Sequence, residues 1–221
     1  MPPDFAVRLD PWSAEYDSAL QLLESEDDLA ARVDPTVETR DWRPRRPAAG
    51  ATLPTLAFVD GVRRVEHRVL VESAQRTIFG LLGSFAVGAT HVDGRARVVH
   101  ERVERVACVG GGLRLAPLNA PLTGGGRAVA FTCHTTPENT PVAPLQCLQS
   151  TMRRSEAELG DALAAEGTLV FLDGPLTFLS DSERPVVGFV KRLLKTYLPP
   201  AQAATLRQLE VGERTPLFLI D

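Results

Sequence analysis

The sequence has few cysteines and no long apolar run. Cys108, Cys133 and Cys147 are an odd number at irregular spacing, which argues against a disulfide framework. No stretch approaches the roughly 18 to 20 apolar residues that a membrane-spanning helix needs, and the first residues lack the basic and apolar pattern of a secretory signal. These absences predict a cytoplasmic protein with reduced thiols and no membrane association. Zinc binding by Cys133, His134 and Cys147 is a weaker alternative, because no CxxC pair accompanies them.

Lysine is also scarce, and the charge is unevenly distributed. Of the 24 basic residues only Lys191 and Lys195 are lysines, and the other 22 are arginines. Residues 1–41 carry a net charge of -8, whereas residues 42–221 carry +4. The body of the protein is therefore mildly basic, which is compatible with a polyanionic partner. The 221 residues, of which 44% are hydrophobic and 24% charged, are typical of one globular domain with a real core.

The sequence predicts a short N-terminal segment before the main domain. Residues 11–33 have leucines at 20, 23 and 29 among acidic residues, which indicates an acidic helix. The proline-rich stretch at 42–50 is typical of a linker. We therefore expect residues 1–45 to form an acidic helical segment and linker, and residues 46–221 to form a single domain.

The main domain is predicted to begin with strands and to continue with alternating helices and strands. In chain order the predicted elements are strands at 56–60, 64–73, 78–92 and 92–103, a glycine-rich loop at 108–127, a helix at 144–167, strands at 168–174 and 185–190, helical segments at 191–198 and 202–210, and a closing strand at 212–221. A strand meander followed by a helix and further strands is the element order of an RNase H-like core. The predicted fold class is α/β, with a mixed sheet that begins as an antiparallel meander and is flanked by helices.

Three Asp-Gly pairs are candidates for turns or for a functional site. Asp93-Gly94 lies between two polar-alternating strands and predicts a hairpin turn. Asp60 and Asp173 each end an almost unbroken apolar run, which indicates strands buried on both faces. An Asp at the end of such a strand can project into a cleft, where a cation offsets its desolvation. A turn is the simpler interpretation of either residue alone, but their shared setting also indicates a site.

Glu156 is predicted to face the core from the long helix. It lies four residues after Met152, so its carboxylate shares the inward apolar face. An unpaired buried carboxylate costs several kcal/mol, so this group is expected to be protonated, ion-paired or metal-bound. Pairing with Arg153 at the edge of the helix is the alternative. The two aspartates favour a cation site.

Three carboxylates form the hard oxygen site that Mg²⁺ or Mn²⁺ prefers. The chemistry that such a site supports is two-metal hydrolysis of a phosphodiester. Lys191 lies three residues after Gly188 and is a candidate for contacting a phosphate, although a solvated position at the start of a helix explains it equally well. The candidate catalytic residues are Asp60, Glu156, Asp173 and Lys191, and the first three of these are the candidate metal ligands.

Five short motifs in this order resemble the NurA nucleases. They are LAFVDGVRR, MRRSEAEL, LVFLDGPL, VVGFVK and GERTPLFLI, and the likeness covers about residues 53–221. The resemblance implies an RNase H-like fold, Mn²⁺-dependent nuclease activity on DNA, a homodimer, and partnership with a hexameric HerA-type ATPase in DNA end resection and repair. It implies that Asp60, Glu156 and Asp173 are metal ligands. Because the family chain continues beyond the last strand, it also implies that the final helix is missing and the domain is C-terminally incomplete.

A function of another class fits the same sequence. A catalytically inactive RNase H-like adaptor would hold an ATPase or DNA through its basic body and would have no need of bound metal. Metal binding therefore discriminates between the two hypotheses. A nucleotide-binding ATPase is disfavoured because neither GGG stretch ends in the GK[ST] of a P-loop, and a serine hydrolase because no GxSxG motif occurs.

Overall fold

The structure is a computed structural model, and its described residues fall into two compact units. It describes residues 5–9, 33–47, 54–73, 76–121, 128–174, 176–179, 183–189 and 197–220. One unit comprises the described parts of Met1–Leu23 and Pro54–Phe189, and the other comprises the described parts of Glu24–Leu53 and Val190–Asp221.

The first unit is built on one mixed sheet, and the second contains a small separate sheet. The strands, numbered in chain order, are β1 Phe5–Leu9, β2 Val33–Asp34, β3 Leu56–Ser73, β4 Thr77–Val92, β5 Ala96–Val109, β6 Leu118–Pro121, β7 Ala128–Thr135, β8 Leu169–Asp173, β9 Val186–Phe189 and β10 Leu219–Ile220. The order in the main sheet is β6-β7-β5-β4-β3-β8-β9, and β1 also pairs with β3. The predicted α/β class is confirmed at this level.

Strand directions divide the main sheet into an antiparallel centre and parallel additions. β3, β4 and β5 form the predicted antiparallel meander. β8 pairs in parallel with β3, and β9 pairs in parallel with β8. On the other side β7 is parallel to β5, and β6 is antiparallel to β7. The strands β1, β6 and β7 were not predicted from the sequence.

The helix α1, Ala143–Ala165, covers one face of the meander and of β8. Its bounds agree with the predicted helix, and Gly167 follows it with a φ of 83°, a conformation that favours glycine after a helix end. The main core lies between this helix and the sheet. Its buried members include Ala57, Val59, Phe85, Val106, Leu145, Leu148, Met152, Leu163, Val170 and Leu172.

The predicted break between the strands at 56–60 and 64–73 is wrong, because β3 runs without interruption from Leu56 to Ser73. An irregularity in its pairing with β4 lies further along, between Val65 and His67. The predicted turn at Asp93-Gly94 is confirmed, whereas the predicted loop at 108–127 is wrong in extent, because β5 continues to Val109 and β6 lies within that range. Gly94 has a φ of 83° between β4 and β5, and the loop after β5 contains Gly111 at a φ of 63°. Residues 122–127 lie outside the described residues.

The prediction that the strands before Asp60 and Asp173 are buried on both faces is wrong. Val59 and Leu172 face the core, but Phe58 is 46% exposed. Phe58 stacks on Phe171 with ring centroids 5.2 Å apart. The apolar runs are continuous because alternate side chains have different apolar neighbours. Val59 and Leu172 pack under α1, whereas Phe58 and Phe171 stack on each other on the opposite face.

The second unit joins residues from both ends of the chain. It contains α2, Pro200–Ala203, a 3-10 helix, Ala204–Gln208, and β2 paired with β10. The predicted closing strand over 212–221 is wrong in extent, because among the described residues of this range only Leu219–Ile220 forms a strand; it pairs with β2, and both residues are exposed.

The predicted N-terminal helix and the first of the two later helical segments fall mostly outside the described residues. Within the described part, Arg45 forms a bridge with Arg214, and Glu38 accepts hydrogen bonds of 2.8 Å from the same arginine. Residues 33–45 therefore contact the C-terminal part of the chain, while the division at residue 45 stays a prediction. In the described residues no helix has the length and apolar character needed to cross a membrane.

Candidate functional site

The parallel pairing of β3 with β8 brings Asp60 and Asp173 to the same level of the sheet. The last residues in register are Val59 and Leu172, and each aspartate follows directly. β8 ends at Asp173 as predicted. Asp60 is not at a strand end, because β3 continues past it. The two aspartates therefore lie where the parallel pairing stops.

Both aspartates leave the sheet on the face opposite α1. A Cβ on Gly61 would point at the helix residue Glu156, and Leu172 packs against Gly160 of α1. Since side chains alternate along a strand, Asp60 and Asp173, each adjacent to a helix-facing residue, point the other way. In agreement, Asp60 is exposed and Asp173 is half-buried.

Glu156 reaches the same place from the helix side. It is 6% exposed, which confirms the inward position predicted from helical spacing. A Cβ on Gly61 would lie 2.6 Å from the Glu156 Oε1 atom and 3.1 Å from Met152. Glycine at this position therefore leaves the space that the Glu156 carboxyl occupies. Position 61 lies in the predicted gap between two strands, but the role of Gly61 is to allow this close approach.

The environment of Glu156 favours its neutral form. Burial, together with the negative charge of Asp60 and more weakly that of Asp173, raises the pKa of Glu156 to about 7. Arg153 and the backbone N–H of Gly61 oppose the rise. The pKa stays elevated because Arg153 offsets only part of the cost of burial and of the neighbouring negative charges.

The three carboxylates line one open pocket of about 520 Å³. The other lining residues are Gly61, Val62, Arg63, Gln149, Met152 and Arg153. The pocket lies along one edge of β3. This edge pairs with β8 as far as Val59 and with β1 from Val69 onward. Between these points no strand in the described part of the chain pairs with this edge. Atoms from both faces of the sheet are therefore accessible there.

The carboxylates share a pocket but do not form a compact ligand set. Among the residues that the structure describes, no three or more His, Cys, Asp and Glu side chains are grouped closely enough to hold a metal ion. The approach of Glu156 from α1 and of the aspartates from the opposite face accounts for the separation. Their oxygen atoms nevertheless fit Mg²⁺ or Mn²⁺ in chemistry, and a cation beside Glu156 would offset the burial and the negative charges that raise its pKa.

Arg63 and Gln149 are pocket residues that the sequence analysis missed. The Nε atom of Arg63 donates a hydrogen bond to the Oε1 atom of Gln149. Two spacings in the sequence indicate their positions. Arg63 is two residues after Gly61 and therefore on the same face of the strand, and Gln149 is seven residues before Glu156 and therefore on the same side of the helix. Lys191, the predicted phosphate contact, lies outside the described residues.

The remaining predictions concern groups away from this pocket. Asp93 is in the hairpin turn and accepts a 2.8 Å hydrogen bond from Arg97. The three cysteines are free thiols, and Cys133 donates to the Ala116 carbonyl over 3.1 Å. Since they too belong to no metal-holding group in the described residues, zinc binding gains no support.

No protein-family model matches the chain, and neither does any curated protein with which it was compared. The functional assignment therefore depends on the residues of this pocket and on the sequence motifs.

Proposed function

We propose that this chain is a divalent-metal-dependent DNA nuclease that hydrolyses phosphodiester bonds. The observation that carries the proposal is the convergence of buried Glu156 with Asp60 and Asp173 on one open pocket. An ionised buried carboxylate beside two like charges destabilises the fold, and a bound cation would offset that cost. Metal-dependent hydrolysis would use all three carboxylates at one site.

The strand order supports an RNase H-like core. An antiparallel meander is followed by α1, and β8 and β9 are then added in parallel beside the first strand of the meander. The candidate carboxylates lie on the first meander strand, on the helix and at the end of the first added strand. The NurA-like motifs led to the same three positions.

The pocket residues would have different chemical roles in this reaction. Divalent cations, when bound, make an attacking water more acidic and stabilise the leaving oxygen. Asp60, which is exposed, and Asp173, which is half-buried, would supply carboxylate oxygens as ligands. Glu156, with a pKa of about 7, holds or releases a proton near neutral pH, and its ionised form would serve as a further ligand.

The proposed cellular partners come from the NurA resemblance. They are DNA ends, a hexameric HerA-type ATPase and a second copy of the chain. The mildly basic body is compatible with DNA. Light scattering of the purified protein tests the homodimer, and co-purification with a HerA-type ATPase tests the second partnership.

Substitution of the carboxylates tests the nuclease. Asp173→Asn and Glu156→Gln keep side-chain size but remove charge, so each should abolish Mn²⁺-dependent cleavage of end-labelled DNA and weaken Mn²⁺ binding in calorimetry. Glu158→Gln is the matched control, since Glu158 is on the same helix but its side chain is 62% exposed. Unchanged cleavage by Asp173→Asn would remove that residue from the mechanism.

The inactive adaptor is the second candidate, and the separation of the carboxylates favours it. If the wild-type protein binds DNA but takes up no Mn²⁺ and leaves DNA intact over a range of metal concentrations, the adaptor replaces the nuclease. Metal uptake with cleavage excludes the adaptor.

A further inference from the structure

Arg63 is a charged residue of the pocket that has no role in the metal-dependent hydrolysis described above. It lies on β3 two residues after Gly61, on the face toward α1, and lines the pocket with Glu156. A substrate phosphate approaching three carboxylates meets repulsion unless positive charge offsets it. Arg153 is also in the pocket, but it already acts on Glu156.

Gln149 fixes Arg63 without cancelling its charge. Its amide oxygen accepts a hydrogen bond from Nε, so the guanidinium is anchored by one edge. In the described part of the chain, the terminal nitrogens of Arg63 have no hydrogen-bond partner. Arg63 is half-buried, and burial lowers its pKa, so a bound anion would relieve an existing cost.

We propose that Arg63, anchored by Gln149, binds a phosphate of the nucleic-acid backbone next to the carboxylates. This inference rests on the proposed nuclease function and adds the group that positions its substrate. The two terminal nitrogens of a guanidinium match two phosphate oxygens, which gives orientation as well as attraction. A neutral amide is the suitable anchor, because a carboxylate at position 149 would form an ion pair and remove the charge available to phosphate.

Arg64 provides the matched control. It is the next residue on β3, it is exposed, and alternation along the strand directs it to the opposite face from Arg63. Replacing either arginine by glutamine removes the same charge from the protein. A difference between the two variants therefore reports on the position of the charge and not on net charge.

Binding of a short fluorescein-labelled single-stranded oligodeoxynucleotide, followed by anisotropy in EDTA, tests the proposal. Arg63→Gln should weaken binding about tenfold and reduce the dependence of log Kd on log salt by about 0.7, the loss of one phosphate contact. Gln149→Glu should weaken binding to a similar extent. The Arg64→Gln variant should keep the wild-type dependence of log Kd on log salt. Circular dichroism should show that all variants are folded.

The two substitutions at the contact separate phosphate binding from a structural role. If Arg63 only fastens β3 to α1, Gln149→Glu strengthens that contact and leaves oligonucleotide binding unchanged, which overturns the proposal. Equal losses for Arg63→Gln and Arg64→Gln would also overturn it, because they would show a diffuse charge effect.

Failure of this inference is distinguishable from failure of the nuclease. EDTA removes metal chemistry from the binding measurement, so Arg63 is tested even if the protein cleaves nothing. Conversely, Mn²⁺-dependent cleavage that persists with unchanged KM in Arg63→Gln would leave the nuclease in place and exclude Arg63 as the phosphate contact. In an active enzyme we expect KM to rise about tenfold in that variant.

Discussion

Asp60-Gly61 and Asp93-Gly94 are the same dipeptide in two regions with different roles. Gly94 has a φ of 83°, and a Cβ there would meet nothing within 4 Å. Gly61 lies inside a strand, where a Cβ would meet Glu156 at 2.6 Å. The first glycine provides a backbone conformation, and the second provides space for a side chain from another element.

The third pair shows that backbone conformation does not identify a site. Gly174 has a φ of 84°, almost the value at Gly94, yet Asp173 before it lines the carboxylate pocket. What distinguishes Asp173 from Asp93 is the parallel neighbour β3, which brings Asp60 close, and Glu156 of α1, which lines the same pocket. The role of an Asp-Gly pair in this protein is therefore set by tertiary neighbours, and substitutions can measure that difference.

Glu156→Gln should have the largest effect on stability. The folded state raises the pKa from 4.5 to about 7, so ionisation destabilises the fold as pH rises through this window. The glutamine variant avoids that cost. It should match the wild type below pH 4.5 and exceed it by about 3 kcal/mol above pH 7, as measured by urea unfolding across pH.

Two controls sharpen this result. Glu158→Gln should show no comparable pH-dependent gain, since its side chain is largely exposed. Mn²⁺ should reduce the advantage of Glu156→Gln at high pH if the ion binds beside the carboxylate. A glutamine variant that is less stable than the wild type at pH 8 would contradict the elevated pKa.

Gly61→Ala should have the next largest effect, about 1 to 3 kcal/mol of destabilisation. Its methyl group would displace the Glu156 carboxyl and press on Met152, which is 3.1 Å from the added atom. Because the carboxyl is the flexible end of a side chain, part of the strain is relieved by rotation toward solvent. The ¹³C shift of the Glu156 carboxyl should then titrate closer to 4.5.

The sequence predicted those parts of the site that depend on local spacing. Helical periodicity sufficed for the inward position of Glu156, and a short apolar run sufficed for the strand that ends at Asp173. The closeness of Asp60 to Asp173 depends on parallel pairing across more than 100 residues. Spacing along one strand cannot determine which strand lies beside it, and for the same reason β1 was missed.

The contact between Arg63 and Gln149 could not be predicted from the sequence for a different reason. Position 63 falls in the gap between the predicted strands at 56–60 and 64–73, and in the structure Arg63 and Gln149 lie on the faces that β3 and α1 turn toward each other. An arginine and a glutamine on such faces are usually at the edge of a core, with their polar ends in water. Only the distance between β3 and α1 shows that they meet, and the glycine at position 61 leaves room for that close approach.

Removing one aspartate charge should produce a smaller change than the two substitutions above. Asp60→Asn should lower the pKa of Glu156 more than Asp173→Asn does, because Asp60 raises that pKa more. Asp93→Asn should leave it unchanged, since Asp93 is paired with Arg97 in the hairpin. Carboxyl ¹³C titrations of the three variants measure the order. An equal shift from Asp93→Asn would indicate a general charge effect.

Gly94→Ala should have the smallest effect, about 1 kcal/mol, because the cost comes from the backbone alone. The turn holds the residue at a φ of 83°, and the absence of atoms within 4 Å means that no side chain has to move. Gly94→Asn should cost less than Gly94→Ala, since asparagine tolerates this conformation better. Neither variant should alter the titration of Glu156. Urea unfolding at pH 8 compares both with Gly61→Ala, and a larger loss at Gly94 than at Gly61 would show that the contact between β3 and α1 is loose enough to admit a methyl group.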